Sequence, residues 1–215
     1  MAPYHICTYQ EMLDLYSRSM AEPIPATFCH MLMLPGTLLV ELGVPLSLLL
    51  ILGSWLLAVM PSLTLLLFLW FLASHSWKQI TVKTLCTDLT DITKTYLSAS
   101  DSCFWVAESG GQVVGIVCAL PVENPPPGKK QLELFHLAVA MEHRGKGIEK
   151  ALVRTVLQFA RNQGCGEVVL ETIMMHHSAL ALYQGMGFQK TGHYFFNIIR
   201  KLTGISTFYL RYRFP

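Results

Sequence analysis

The pattern of apolar and polar positions is clearest in residues 132–150, LELFHLAVAMEHRGKGIEK. A near-continuous apolar run that stops at Val139 predicts a buried strand, and the apolar spacing that begins at Ile148 has the period of a helix. The polar turn between them contains two glycines and two cations: Arg144, Gly145, Lys146 and Gly147. Such a turn directs backbone N–H groups outward at a helix start, where the helix dipole adds partial positive charge. It predicts a phosphate site or, on the glycines alone, a tight connection without a ligand.

The same pattern predicts a mixed sheet along the rest of the chain. The expected strands are residues 4–9, 102–108, 112–119, 132–139, 167–171, 188 onward and 208–212. The expected helices are residues 9–20, 88–97, 148–163 and 177–185. Gly110 and Gly111 form a hairpin turn between two of the strands. A hairpin followed by strand, helix, strand, helix and strand implies an α/β fold, a mixed β-sheet flanked by helices on both faces.

Residues 42–73 form an apolar run without a charged side chain. Because about 20 apolar residues span a bilayer as a helix, the run predicts a membrane-embedded segment, which we place at residues 35–74. It is long enough for one tilted span, or for a two-helix hairpin that turns near Gly53-Ser54 or at Pro61. The alternative, the core helix of a soluble protein, requires a polar face that this run lacks.

Composition and charge agree with this division of the chain. Hydrophobic residues make up 52% of the sequence and charged residues 14%, against about 25% charged in an ordinary soluble domain. The net charge of +2 is too small to predict direct binding of nucleic acid. Lys78 and Lys83 follow the apolar run and favour a cytosolic position for its C-terminal side. No N-x-S/T sequon supports a lumenal position.

Two motifs carry a family resemblance. Residues 137–149 match a strand ending in Leu-Ala-Val followed by Q/R-x-x-G-x-G/A, except that Glu149 replaces the small last residue. Residues 182–188, LYQGMGF, match an L-Y-x-x-x-G-F ending at the expected separation. Together they resemble the acetyl-CoA-binding core of the GNAT superfamily of N-acetyltransferases. The apolar N-terminal half and segments such as FWVAES and ALVRTVLQFARNQG resemble the camello-like group, relatives of the endoplasmic-reticulum cysteine-S-conjugate N-acetyltransferase.

The resemblance implies where the co-substrate acetyl-CoA binds. Backbone N–H groups at the end of the strand would hold the acetyl and pantetheine parts: Leu137, Ala138 and Val139. Those of the turn and the helix start would hold the pyrophosphate: Arg144, Gly145, Lys146, Gly147, Ile148 and Glu149. The resemblance also implies three regions: an N-terminal strand and helix of the catalytic domain in residues 1–34, the membrane segment, and an N-acetyltransferase domain in residues 80–215.

The chemistry needs a neutral amine and a protonated leaving thiolate. By resemblance, Tyr183 is the general acid, while the alternative is a tyrosine that packs its ring in the core. Glu133 and His136 are the candidate bases; three residues apart on a strand, they are expected on opposite faces, so that only one faces the substrate. A water relay or an already neutral amine would make a base unnecessary. His176 and His177 diverge by about 100° on a helix, and we expect no metal site.

The residues and the resemblance together predict a membrane-bound N-acetyltransferase of the endoplasmic reticulum, with its catalytic domain facing the cytosol. The implied acceptor is the α-amine of a cysteine S-conjugate, and a protein lysine, including one in a histone tail, is the enzymatic alternative. A third interpretation is a catalytically impaired membrane protein that influences cell adhesion and gastrulation movements. Glu149 favours this last interpretation because it departs from the cofactor motif. The implied partners are the lipid bilayer and the amine acceptor.

Overall fold

A computed structural model of the chain describes the backbone of residues 6–214 and the side chains from Tyr9 to Phe214. The chain divides into two units. The sheet unit comprises the residues up to Ser19 and those from Lys83 onward, and the helical unit comprises Met20–Val82. The predicted boundaries of the membrane segment and of the N-acetyltransferase domain, at residues 35 and 80, stay a prediction.

The strands of the sheet unit form one mixed sheet in the order β1-β2-β3-β4-β6-β5. They are β1 (Cys103–Ser109), β2 (Gln112–Pro121), β3 (Gln131–Val139), β4 (Glu167–Ile173), β5 (Gln189–Tyr194) and β6 (Thr207–Arg213). β3 and β4 run parallel, and the other neighbouring pairs are antiparallel. Gly110 and Gly111 turn β1 into β2 with φ values of 59° and 80°, a left-handed conformation that suits glycine.

The α-helices in the described chain lie on both sides of this sheet and in the helical unit. They are α1 (Ile6–Ala21), α2 (Ile24–Leu32), α3 (Pro35–Leu52), α4 (Trp55–Cys86), α5 (Ile148–Asn162), α6 (His177–Gly185) and α7 (Ile198–Leu202). α5 and α6 pack their apolar side chains against one face of the sheet in a common core. On the other face, Tyr16 of α1 contacts His136 of β3. The predicted α/β fold with a mixed, helix-flanked sheet is confirmed.

Gly115 of β2 sets the distance between α5 and the sheet. A Cβ atom at this position would lie 3.0 Å from Cδ1 of Leu152, 3.2 Å from Cγ2 of Val139 and 3.3 Å from Cγ2 of Ile148. Because packed interiors leave no room for such short contacts, only glycine lets the first turns of α5 rest directly on β2. The N-terminus of α5 is thereby held beside the end of β3.

The helical unit contains α2, α3 and the apolar part of α4. Gly53 and Ser54 separate α3 from α4, and Gly53 has a φ of 63°, the left-handed conformation that commonly ends a helix. Pro45 and Pro61 lie inside α3 and α4, so the chain does not turn at Pro61. Mean hydropathy reaches 1.9 in α3 and 2.3 in α4, and no side chain of α3 is buried. Both helices are long and apolar enough to cross a membrane.

The first predicted strand is wrong where the chain is described. It was expected at residues 4–9, but α1 already begins at Ile6, and residues 4 and 5 lie outside the described residues. The hydroxyl of Tyr9 donates a hydrogen bond to the carbonyl oxygen of Leu89 at 2.8 Å. Tertiary contacts of this kind outweigh the weak strand propensity of a short apolar segment.

The helix predicted at residues 88–97 is shorter in the structure. Helical structure begins at Ile92 and continues as a π-type turn over Thr93–Leu97, whereas residues 87–90 form turns. The carboxylate of Asp88 accepts hydrogen bonds from the hydroxyls of Thr87 and Tyr96, which competes with a regular helix start. α7 was not predicted, because a five-residue helix is too short to show a helical period.

Candidate active site

β3 and β4 separate before either strand ends. Residues 131–134 of β3 pair with residues 167–170 of β4, although β3 continues to Val139 and β4 to Ile173. The two parallel strands therefore leave an opening between their carboxyl-terminal ends. In open α/β sheets, ligands bind outside the carboxyl ends of the strands. We place the candidate active site at this opening.

A β-bulge lies on β3 beside the opening. Where β3 pairs with β2, the two residues His136 and Leu137 face the single residue Val117. His136 has a φ of 54° and is the one non-glycine residue with a positive φ in the described chain. Bulges interrupt the ladder of hydrogen bonds and are common next to active sites. The predicted acetyl-binding residues 137–139 therefore start at this bulge.

The bulge changes which side chains share a face of the sheet. Leu134 before the bulge and Leu137 after it both join the core under α5 and α6. One extra residue therefore resets the alternation of faces, and Glu133 and His136 both project from the opposite face. The prediction that these two residues lie on opposite faces is wrong, because it assumed an uninterrupted period of two.

His136 belongs to a network of hydrogen bonds. Its Nε2 is hydrogen-bonded to the carboxylate of Asp88, which also accepts hydrogen bonds from the hydroxyls of Tyr96 at 2.7 Å and Thr87 at 2.8 Å. Burial would raise the pKa of Asp88, but His136 and the two hydroxyls outweigh it and lower this pKa. The ring of Tyr16 packs edge-on against His136, with centroids 5.1 Å apart. The structure thus holds the imidazole at the bulge from two separate segments of the chain.

Glu133, the other candidate base, lies partly buried on β3. Burial raises the pKa of Glu133 to about 7, and the charge of Glu171 on β4 adds to this effect. Glu171 accepts a hydrogen bond from the hydroxyl of Tyr194 at 2.6 Å. A carboxylate with a pKa near 7 is half protonated at neutral pH, as a general base for an ammonium group should be.

Tyr183 lies on α6, on the core side of the sheet. It is 5% exposed, and its ring meets that of Phe188 edge to face with centroids 5.5 Å apart. Burial raises the pKa of its hydroxyl, which keeps the phenol protonated. Tyr183 and the candidate bases Glu133 and His136 are therefore on different faces.

The predicted phosphate turn forms an open cradle. Gly145 and Gly147 have φ values of 71° and 84°, and a Cβ atom on either would meet no heavy atom within 4 Å. Gly147 is the N-cap of α5 and supplies no side-chain cap, so the first N–H groups of this helix suit an anion. Nε of Arg144 donates to the carbonyl oxygen of Val139 at 3.0 Å, which ties the turn to β3. These residues fit the pyrophosphate of acetyl-CoA.

His176 and His177 lie at the start of α6. Burial lowers the pKa of His176 to about 4, assisted by the charges of Arg200, Arg144 and His177, so His176 is neutral at pH 7. No group of three or more His, Cys, Asp and Glu side chains suited to a metal ion occurs in the described part of the chain.

Three residues of this region were not predicted from the sequence: Asp88, Glu171 and Tyr194. Glu171 had a recognisable signal, since it is the first carboxylate after the apolar run of a buried parallel strand, where ligand-binding side chains collect. Asp88 and Tyr194 had none, because each lies far along the chain from its partner.

The opening, the bulge and the cradle all fall within a stretch that matches a known family. A model described as "Acetyltransferase (GNAT) family" matches residues 67–188, more than half of the chain. The chain belongs to this acetyltransferase family. It is 59% identical to N-acetyltransferase 8F1 of Rattus norvegicus over 220 residues, which covers 100% of this chain and 99% of that protein. It is 56% identical to N-acetyltransferase family 8 member 3 of Mus musculus over 217 residues, which covers 99% and 96% of the two chains.

Membership of the GNAT family confirms the predicted enzyme class, an acetyl-CoA-dependent N-acetyltransferase, and the relatives confirm the camello-like grouping. Among solved structures, a streptothricin acetyltransferase of Bacillus anthracis in complex with acetyl coenzyme A has a TM-score of 0.50 and 19% identity. The match covers 59% of this chain and 70% of that one, and it shows the GNAT fold. The roles predicted for individual residues stay predictions.

The Asp88–His136 pair should stabilise the sheet unit. Asp88→Asn removes the negative charge, and we expect it to lower the free energy of unfolding at pH 7 by about 2 kcal/mol. Because the folded state lowers the pKa of Asp88, this contribution is complete above the unfolded pKa and is lost as pH falls through the folded pKa. The difference between the two proteins should therefore shrink below about pH 4.

Chemical denaturation of the full chain in detergent, followed by tryptophan fluorescence at several pH values, measures this difference. Asp14→Asn is the matched control, since Asp14 pairs with Arg18 at 2.7 Å but at an exposed position. Its effect should stay below about 0.5 kcal/mol. Equal stability of Asp88→Asn and the unaltered protein at pH 7 would show that the pair contributes nothing.

Glu149 should weaken acetyl-CoA binding, because its carboxylate lies in the first turn of α5, where the pyrophosphate is expected. At about 6 Å and an effective dielectric near 20, the repulsion is roughly 3 kcal/mol, or about a hundredfold in affinity. We expect Glu149→Ala to tighten binding by up to this factor, and more at low salt than at high salt. Calorimetric titration at two ionic strengths measures it, with the exposed Glu123→Ala as control. Equal affinities would show that Glu149 points away from the phosphates.

Proposed function

We propose that this GNAT acetyltransferase transfers the acetyl group of acetyl-CoA to the α-amine of a cysteine S-conjugate. The observation that carries the proposal is the environment of Glu133. Glu133 lies one residue before the pairing of β3 with β4 ends, beside the opening. Burial raises the pKa of its carboxylate to about 7. An acceptor amine is an ammonium ion at neutral pH and must lose a proton before it can attack a carbonyl carbon.

Exposed apolar side chains that follow Tyr194 support an acceptor with an apolar substituent. The chain that follows β5 exposes four of them: Phe195, Phe196, Ile198 and Ile199. They come directly after Tyr194, whose hydroxyl is hydrogen-bonded to Glu171. A cysteine S-conjugate combines an amine with an apolar group on sulfur. We infer that its amine binds at the carboxylates and that its substituent packs against the apolar segment.

The proposed roles of the residues follow from their positions. Acetyl-CoA supplies an acetyl group activated as a thioester. Glu133 takes one proton from the ammonium group and leaves an amine that can attack the acetyl carbonyl. The Tyr183 hydroxyl donates a proton to the departing sulfur and regains the second proton that the acceptor nitrogen loses. Backbone N–H groups of residues 137–139 orient the acetyl group, and the cradle before α5 binds the pyrophosphate.

The acceptor is tested with the full chain purified in detergent and labelled acetyl-CoA. We expect transfer to S-benzyl-cysteine and none to its N-acetylated form, which offers no amine. A histone-tail peptide should be acetylated at least tenfold more slowly. A preference for the peptide would replace the proposed acceptor with a protein lysine. Acetyl-CoA binding without transfer to either acceptor would favour the non-catalytic interpretation.

Tyr183→Phe should separate acid catalysis from packing, because it keeps the buried ring and removes only the hydroxyl. We expect turnover to fall about 10- to 1,000-fold with little change in acetyl-CoA affinity. Tyr212→Phe is the matched control, since Tyr212 also packs against Phe188 but from β6. Unchanged turnover of Tyr183→Phe at saturating acetyl-CoA would leave Tyr183 with a packing role only.

We further propose that α3 and α4 embed the protein in the endoplasmic-reticulum membrane, with the sheet unit on the cytosolic side. Membrane insertion is supported by the exposed apolar surface of both helices and by the break between them at Gly53. The cytosolic orientation is supported by Lys78 and Lys83. Carbonate extraction should leave the chain in the membrane, and protease added to intact microsomes should remove a C-terminal tag. A protected tag would contradict the cytosolic orientation.

A further inference from the structure

The register of the parallel strands brings two carboxylates together at the opening. Glu133 of β3 pairs with Val169 of β4, so Glu171, two residues further along β4, is its diagonal neighbour on the same face. Leu134 and Leu170 between them belong to the core on the other face. Residue 171 is also the first position of β4 beyond its pairing with β3. Glu171 therefore stands at the point where the opening between the strands begins.

A tyrosine from a non-adjacent strand holds Glu171 in place. β6 lies between β4 and β5 in the sheet, with Tyr209 directly opposite Glu171. The hydroxyl of Tyr194, the last residue of β5, nevertheless reaches across β6 and donates a hydrogen bond to Oε2 of Glu171 at 2.6 Å. This bond restricts a side chain that is otherwise exposed to solvent.

Charged and titratable side chains of β5, β6 and α7 surround the pair formed by Glu133 and Glu171. β6 contributes Tyr209 and Arg211, α7 contributes Arg200, and β5 contributes Tyr194. Arg211 lies 3.7 Å from Glu167, a separate buried carboxylate that also accepts hydrogen bonds from Lys129, Gln131 and Arg213. Glu171 is the neighbouring charge that raises the pKa of Glu133 in addition to burial.

We propose that Glu171 is a positioning residue for acetyl transfer: held beside Glu133 by the Tyr194 hydroxyl, it makes Glu133 the member of the carboxylate pair that takes the acceptor's proton. The inference rests on the proposed role of Glu133 as base. Two nearby carboxylates cannot both be ionised without repulsion, so the first proton goes to the more buried member, Glu133. The hydrogen bond from β5 keeps Glu171 in the position from which it acts on Glu133.

Titration of Glu133 tests the proposal without requiring any transfer activity. The full chain is labelled with ¹³C at glutamate carboxyl groups and titrated in detergent by NMR, and the Glu133 signal is assigned by its loss in Glu133→Gln. We expect Glu133 to titrate near pH 7 and to shift down by about one pH unit in Glu171→Gln. Tyr194→Phe should give a smaller shift in the same direction, because Glu171 is then free to turn toward solvent.

The double variant Glu171→Gln/Tyr194→Phe should show no further shift beyond Glu171→Gln, because Tyr194 acts through Glu171. Glu108→Gln is the matched control: it removes an exposed carboxylate from β1, two strands away from β3, and should leave the titration of Glu133 unchanged. An unchanged Glu133 titration in Glu171→Gln overturns the proposal. So does a further shift caused by Tyr194→Phe in the Glu171→Gln background.

The pH dependence of kcat/KM with S-benzyl-cysteine then distinguishes a positioning role from a merely structural one. We expect the acidic limb to move to lower pH by about one unit in Glu171→Gln, matching the NMR shift, and the plateau to fall about tenfold as the base weakens. A shifted titration with an unshifted limb would overturn the positioning role. Absence of transfer by the unaltered protein would instead contradict the proposed function, while the NMR arm would still decide whether Glu171 and Tyr194 act on Glu133.

Discussion

The site depends on the early end of pairing between two parallel strands. β3 and β4 share hydrogen bonds over residues 131–134 and 167–170, and from there each strand continues without the other. Paired strands offer a ligand no backbone groups, because their N–H and C=O groups bond each other. Separation leaves those groups to a substrate and also brings the two faces of the sheet within its reach. The proposed acid, Tyr183, on the core face and the proposed base, Glu133, on the other face can then serve one reaction.

The bulge at His136 supports this opening. An extra residue in β3 resets the alternation of side chains, so Glu133 before the bulge and His136 after it face the same way. His136 takes a left-handed conformation that costs a non-glycine residue about 1 kcal/mol or more. Its hydrogen bond with Asp88 and its ring contact with Tyr16 offset that cost. Tyr16 and Asp88 are distant in sequence, and both belong to the sheet unit.

Several features were predicted from the sequence because they depend on local patterns. The apolar run from β3 into α5, the glycines of the cradle and the motif ending at Phe188 each lie within a short stretch of chain. Their spacing reflects requirements of the backbone, such as left-handed φ values at Gly145 and Gly147. The break between α3 and α4 at Gly53 has the same origin. The family membership also follows from such stretches, since motifs of this kind are what families share.

The sequence by itself determined the strands β1 to β4, the helices α5 and α6, the class of fold, the enzyme family and the position of the cradle, because period, turn chemistry and motif spacing act over a few residues. Tertiary structure alone decided that Glu133 and His136 share a face, that Asp88 holds His136, and that Glu171 and Tyr194 stand beside Glu133. A bulge shifts side chains by one position without a reliable sequence signal. Contacts across 23 or 48 residues depend on how strands are ordered in the sheet. The proton affinity of Glu133 follows from burial and a neighbouring charge, which exist only once the chain is folded.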